Sequence, residues 1–297
     1  MKQRTLGQST LAISELSLGC MSLPTNLADA QYVIAAALDA GINYFDTADL
    51  YNKGVNEEIV GAALKSHRSD IILATKVGNR WQDGVDGWSW DATPQYIKQA
   101  VKESLRRLQT DYIDVYQLHG GTLEDQWPEI INTFDELKQD GLIREYGISS
   151  IRPNVFVPFL QNSNAISNMM QFNILDQRAA EWFPLIEEAG ASVVTRGSIA
   201  KGILTAEWKQ RLANYMGYTE HEVKQVLEQL EQQFGNVHAA SLAYNLQYDA
   251  VASTVIGART REQLATNLHA YEQYTHLDDI MNVQSFTKQD QYTDHLE

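Results

Sequence analysis

Three short apolar runs, each closing on an ionisable residue and leading toward a helical pattern, constrain this chain more than anything else in it. The first lies in INYFDTADLY and ends at Asp46; IILATK ends at Lys76; YIDVYQLH ends at His119. Tyr51 follows the first run in a loop, before a helical pattern that starts near Asn56. When such strands lie parallel in a closed barrel, their carboxyl ends collect on one face, and that face carries the active site. A carboxylate, an ammonium, a phenol and an imidazole gathered there form an acid–base set.

The remainder of the chain keeps this rhythm. Residues 5–6 and 11–13 flank the polar turn GQST and predict a small hairpin. Strand-like runs follow at 16–18, 44–46, 71–74, 113–118, 144–148, 169–172, 192–195 and 252–256. Helical spacing recurs between them, most strongly after Pro94, where Ile97, Val101, Leu105 and Leu108 share a face. The stretch 200–236 breaks the pattern and reads as an insertion over the catalytic face plus the seventh helix unit. A further C-terminal helix is expected to begin near Leu277. Eight strand–helix units with short connections predict an α/β fold, a (β/α)8 TIM barrel, with residues 1–297 as a single domain.

Composition narrows the partners. With 297 residues, 44% hydrophobic and 21% charged, the chain suits one large globular barrel. A formal net charge of −15 opposes a phosphate backbone, and no lysine–arginine cluster compensates, so nucleic acid is not an expected partner. Basic residues in loops therefore stand out as contacts for any anionic ligand. A single cysteine, Cys20, allows no internal disulfide and fits a reducing compartment. No secretory signal opens the chain and no apolar run spans a bilayer, so the expected location is cytoplasmic, without a membrane partner. The terminal Leu296–Glu297 reads as an expression remnant.

The chemistry of the four residues comes next. A tyrosine keeps its proton at neutral pH but releases it more readily beside a cation. Lys76 supplies that charge, Asp46 holds the lysine, and His119 offers a second donor to the same oxygen. Such a set polarises a carbonyl and delivers a proton to it as negative charge develops. Nothing in it provides a hydride, so a redox role requires a cofactor. Other readings stand beside this one. Asp46 and Lys76 suit a structural ion pair, Tyr51 is one of fourteen tyrosines, and His119 suits a core histidine. Asp46, Asp49 and His119 lack a second histidine at ligand spacing, so no metal is expected. Asp46 with Glu57 would form a glycosidase pair, but Glu57 falls in a helix's first turn, where a capping or dipole role is simpler.

FDTADLYNKGVNEEIVGAAL, ATK and VYQLH, in this order and at these intervals, resemble the aldo-keto reductase family over residues from about 4 to 269. The resemblance implies that Asp46, Tyr51, Lys76 and His119 are the family's catalytic tetrad. It also implies a hairpin plugging the barrel's bottom and an extended dinucleotide across its mouth, without the GxGxxG fingerprint that this chain lacks. In the family's terms, Ser149 and Gln171 hold the nicotinamide carboxamide. Ser150 replaces the usual asparagine and also suits a cap before Pro153. Arg196 stands where many members place a stacking aromatic ring. Bacterial branches that resemble this chain carry a similar arginine–glycine pair, which makes Arg196 a cofactor contact.

Ser198, Lys201, Gly202 and Leu204 fall in the loop implied to cover the pyrophosphate. Gly257 would present backbone groups near a helix start. Arg259 would pair with a 2′-phosphate, selecting NADPH over NADH. Gln263 and Asn267, four residues apart on one helix face, match adenine and ribose contacts. The implied reaction is reduction of aldehyde or ketone carbonyls by NADPH, with Tyr51 as proton donor, Lys76 lowering its pKa and His119 orienting the substrate oxygen. Trp81, Trp88, Trp90 and Trp208 are expected to border a pocket for small apolar or aromatic carbonyl compounds. The rival reading is a cofactor-binding, redox-sensing regulatory subunit resembling the potassium-channel beta subunits, with little turnover. The outer helices leave the oligomeric state open, a monomer being slightly favoured.

Overall fold

The computed structural model describes residues 1–82, 84–275, 277 and 279–296; Glu297 lies outside these. An antiparallel hairpin, β1 (Gln3–Thr5) and β2 (Ala12–Ser14), opens the chain. Then come β3 (Leu16–Gly19), α1 (Leu27–Asp39), β4 (Tyr44–Asp46), α2 (Val55–Leu64) and β5 (Ile72–Val77). A second small hairpin, β6 (Asn79–Arg80) with β7 (Ser89–Trp90), precedes α3 (Pro94–Leu108). The sequence continues through β8 (Ile113–Leu118), α4 (Trp127–Gln139), β9 (Ile143–Ile148), α5 (Pro153–Gln161) and β10 (Ser167–Gln171). It ends with α6 (Phe183–Glu188), β11 (Ser192–Arg196), α7 (Glu220–Phe234), α8 (Val237–Leu246), β12 (Val251–Gly257) and α9 (Arg261–Tyr274).

Eight of these strands close into a parallel barrel in the order β10-β11-β12-β3-β4-β5-β8-β9. Side chains alternate across each strand. Tyr44, Ile72, Ala74, Val115 and Val194 fill the barrel interior, joined from below by Leu6 and Ile13, both fully buried. The hairpin therefore plugs the bottom. Their strand neighbours Phe45, Leu73, Val77, Tyr116 and Leu118 pack outward among the helices.

Local signals account for the helix ends. Thr93 caps α3 by accepting from the Tyr96 amide at 3.3 Å, and Pro94 occupies the first turn, where its missing N–H is harmless. Thr219 and Glu222 form a capping box at the start of α7. The C-terminal helix expected from Leu277 is instead a six-residue 3-10 segment, Ile280–Ser285, anchored by buried Ile280 and Val283. Only these two residues of the segment are buried, too few for the apolar stripe that stabilises a longer helix. Among the described residues, no helix is long and apolar enough to cross a membrane.

Candidate active site

Strand parity assembles the site. Asp46, Lys76, Gln117 and His119 continue, at the barrel mouth, the inward rows begun by Tyr44, Ala74 and Val115. Lys76 Nζ donates to Asp46 Oδ2 at 2.7 Å, to the Thr47 carbonyl at 2.7 Å and to the Tyr51 hydroxyl at 3.3 Å. All three ammonium hydrogens are thus directed, and the lysine is fully buried. Gln117 Nε2 reaches the other Asp46 oxygen at 3.5 Å. Sequence reasoning did not single out Gln117; its place two residues before His119, on the same inward row, is the signal that finds it. The Tyr51 and His119 rings meet edge-on, with centroids 6.1 Å apart.

Electrostatics assign a protonation state to each member. Burial pushes the Tyr51 phenol above its ordinary value; Lys76 pulls it down and Asp46 pushes it further up. Lys76 lowers this phenol as expected, but burial outweighs it, so the net shift is upward. Burial also raises the Asp46 carboxyl against the pull of Lys76. Burial opposes the Lys76 charge, yet Asp46 and Tyr51 together hold the ammonium above its ordinary value. His119 is depressed to about 3 by burial, with Lys76 and Arg196 adding to the effect. It is a neutral imidazole at neutral pH, and its buried Nδ1 has no hydrogen-bond partner among the described residues.

The turn that presents Tyr51 is backbone-strained and braced from behind. Asn52, Lys53 and Gly54 carry φ values of 49°, 52° and 84°, so the chain reverses directly after the tyrosine. A β-carbon on Gly54 would stand 2.8 Å from Arg107 Cδ. Arg107 Nε pairs with Glu57 Oε2 at 2.7 Å, and Thr75 Oγ1 donates to Glu57 Oε1 at 2.6 Å. Glu57 therefore does more than cap: it is fully buried and ties α2 to α3 and β5. Asn56 adds a second brace, accepting from Thr47 Oγ1 at 2.6 Å and donating to the Cys20 carbonyl at 2.8 Å.

Two cavities meet at Tyr51. One, of about 600 Å³, is walled by Trp88, Trp90, His119, Ser149 and Arg152. The other, of about 480 Å³, is a groove walled by Gly19, Gln171, Arg196, Lys201 and Gly257. Tyr51, Met21, Met169 and Arg196 border both. Trp90 is fixed in place: its Nε1 donates to Asp125 Oδ1 at 2.8 Å, and its ring lies where β-carbons of Gly78 and Gly120 would be. Trp88 is 57% exposed at the cavity edge. Trp81 and Trp208 are corrected. Trp81 Nε1 is tied to the Asp49 carbonyl at 2.9 Å, outside both walls. Trp208 is buried in the core between barrel and helices, because an indole that size finds more apolar contact there than at the mouth.

A family model described as "Aldo/keto reductase family" matches residues 15–287. The chain belongs to the aldo/keto reductase family. A curated relative, "Uncharacterized oxidoreductase YqkF" of Bacillus subtilis (strain 168), is 50% identical over 304 residues, covering 99% of each chain. The solved structure of aldo-keto reductase AKR11C1 from Bacillus halodurans, holo form, matches with a TM-score of 0.93 and 50% identity over 100% of both chains. A more distant relative, the "NADH-specific methylglyoxal reductase" of Escherichia coli (strain K12), is 28% identical over 304 residues, or 91% of this chain and 93% of that one. This aldo/keto reductase is an NAD(P)H-dependent oxidoreductase that reduces carbonyl groups.

The groove of this aldo/keto reductase fits such a cofactor. Gly19 and Gly257 in its wall pack tightly against neighbouring side chains: a β-carbon would come within 2.8 Å of Val255 Cγ1 at Gly19 and within 2.6 Å of Ser22 Oγ at Gly257. Among the described residues, neither Arg196 nor Lys201 pairs with a carboxylate, which leaves both charges for an anionic ligand. Ala200, Lys201 and Gly202 form a left-handed turn with φ of 47°, 57° and 94°, and Lys201 is exposed on it. The Oγ of buried Ser198 has no hydrogen-bond partner among the described residues.

The remaining expected contacts are placed less uniformly. Gln171 is held from both sides, donating to Asp176 Oδ2 at 2.8 Å and accepting from Arg196 Nη1 at 3.3 Å. Asp176, itself gripped by Arg178 at 2.7 Å, escaped sequence reasoning. Ser149 and Ser150 line the other cavity, and Ser150 Oγ accepts from the Arg152 amide at 3.2 Å, one residue ahead of α5 rather than capping it. Ser198, Gly202 and Leu204 are buried behind the groove rather than in its wall. Arg259 and Gln263 are exposed beyond it, joined by a 2.8 Å bond from the Arg259 amide to Gln263 Oε1. Asn267 is buried and donates to the Gly257 carbonyl at 3.3 Å.

Proposed function

We propose that this aldo/keto reductase uses NADPH to reduce aldehydes and ketones, with Tyr51 giving the proton to the substrate oxygen. The observation that carries this reading is the Lys76 ammonium, which touches both Asp46 and the Tyr51 hydroxyl from a fully buried position. The nicotinamide cofactor, when bound, supplies the hydride. Burial keeps the Tyr51 phenol protonated at neutral pH, so it approaches the substrate as a donor. As the proton leaves, the contact with Lys76 changes from a hydrogen bond to a neutral phenol into one with a phenolate. That contact strengthens only as the reaction proceeds, which is the condition for lowering a barrier. Asp46 fixes the lysine, and Gln117 steadies Asp46. Neutral His119 retains one N–H with which to orient the carbonyl oxygen.

Gln171, Arg196, Lys201 and Gly257 are the groove residues we assign to the cofactor, with Ser149 and Ser150 beside the nicotinamide and Ser198, Gly202 and Leu204 shaping the covering loop. Arg259, Gln263 and Asn267 are assigned to the adenosine end. NADPH rather than NADH follows from Arg259, whose guanidinium has no partner among the described residues and can take a 2′-phosphate in two charge-assisted bonds. One relative carries a name specifying NADH, so membership of the family does not decide this. Titration of nicotinamide fluorescence tests it. Arg259→Ala should weaken NADPH by roughly 10- to 100-fold and NADH by less than about threefold; equal losses would remove the phosphate role. We further propose a cytoplasmic, monomeric enzyme, for which sedimentation gives the oligomeric state directly.

A further inference from the structure

Arg152 is the charged residue of the larger cavity that the mechanism above leaves unused. The chain carries 38 acidic against 23 basic residues, yet among the described residues no aspartate or glutamate lines this cavity, whereas Lys76, Arg152 and Arg196 do. Lys76 is neutralised by Asp46, and Arg196 is shared with the cofactor groove. Arg152 has neither commitment. Its one side-chain bond runs from Nη1 to the Gly121 carbonyl at 3.2 Å, and among the described residues no carboxylate pairs with it. A guanidinium carries five N–H donors, so most of them are free to meet a ligand.

The position is also built. Gly120 and Gly121 have φ of 134° and 140°, and a β-carbon on Gly121 would stand 2.5 Å from Val155 Cγ1. The loop after β8 therefore lies tight against α5, with the Gly121 carbonyl held where Arg152 meets it. Ser150 Oγ fixes the Arg152 backbone amide at 3.2 Å. Both ends of the residue are set before any substrate arrives, which lowers the entropy lost on binding.

We propose that Arg152 selects carbonyl substrates bearing a carboxylate, receiving the anionic end while the carbonyl meets Tyr51 and His119. The proposal rests on the carbonyl-reductase reading and adds the substrate class. Trp88 and Trp90 line the same cavity, so the body joining the two ends is apolar or aromatic. An arginine fork matches a carboxylate in bidentate geometry.

The test compares 4-carboxybenzaldehyde with 4-methylbenzaldehyde, two rings of similar size that differ in charge. Wild type should favour the carboxylate in kcat/KM by roughly 10- to 100-fold, mainly through KM. In Arg152→Met that ratio should collapse toward one, with Arg152→Lys retaining part of it. A wild-type ratio at or below one, or an unchanged ratio in Arg152→Met, overturns the proposal. A second readout needs no turnover: quenching of tryptophan fluorescence by benzoate against benzamide should favour benzoate in wild type and lose that preference in Arg152→Met. Should neither aldehyde be reduced, the reductase reading fails, and the benzoate titration still decides whether Arg152 holds a carboxylate. Glyceraldehyde 3-phosphate against glyceraldehyde separates the anions; a preference found there and absent for the carboxylate would overturn the assignment.

Discussion

Lys76 Nζ donates to Asp46 Oδ2 at 2.7 Å within the barrel mouth, where the two side chains are 1% and 5% exposed. A buried pair of this kind adds little net stability as a unit, but breaking it strands a charge. Lys76→Met should therefore destabilise the fold by about 3–5 kcal/mol, and adding Asp46→Asn should restore most of the loss. Carbonyl reduction should stay abolished in both variants, since neither offers the phenol a cation. Urea unfolding alongside steady-state turnover separates the two effects. A Lys76→Met protein with the wild-type unfolding midpoint would contradict the burial described here.

The strained turn after Tyr51 makes a second, independent prediction. Gly54 has φ of 84°, and any β-carbon there meets Arg107 at 2.8 Å. Gly54→Ala should cost about 1–3 kcal/mol of stability through backbone strain and displacement of the Arg107–Glu57 pair. Because the turn also aims the tyrosine, kcat should fall further than cofactor affinity. Unchanged stability and kcat would mean that the turn adapts freely.

How much of this was legible in the sequence depended on range. The barrel and the gathering of these side chains at its mouth were, because strand parity and strand ends are local: Asp46, Lys76 and His119 each announce themselves at the close of an apolar run. The ion pair of Glu57 with Arg107 was not, since fifty residues separate them and each reads singly as a helix-surface charge. Trp81 and Trp208 were misplaced for a related reason. A loop tryptophan's chemistry does not reveal which side of the loop faces the pocket. Asp176 and Arg152 were passed over because their meaning comes from what surrounds them, a glutamine to hold and a cavity without acids. The β6–β7 hairpin, two residues to a strand, has too short a pattern to detect.

Two buried histidines contribute to the response to acid, opposed by the raised carboxyls of Asp46 and Asp49. Burial depresses His238 to about 4, and burial with nearby cations depresses His119 to about 3. In the unfolded chain both bind protons near pH 6.5, so between that value and about 4 these two residues hold more protons unfolded than native. Their contribution costs no stability above about pH 6.5 and lowers it as pH drops, by up to roughly 1.4 kcal/mol per pH unit for each histidine. Among the described residues His238 has no hydrogen-bond partner on either nitrogen, and His238→Phe should remove its share of that slope. Chemical denaturation of wild type and His238→Phe at a series of pH values measures it; identical pH profiles down to about pH 5 would contradict the buried, neutral state of His238.

The central claim is that Tyr51 is the proton donor in a site otherwise complete without it. Its most direct test is Tyr51→Phe, assayed by NADPH oxidation with an aromatic aldehyde beside a fluorescence titration of NADPH. The ring's packing survives this change, and only the hydroxyl at 3.3 Å from Lys76 is lost. Reduction should fall by about 10²–10⁴-fold, the usual scale of general acid catalysis, while NADPH affinity moves by less than about threefold. Turnover within a few-fold of wild type would contradict the account.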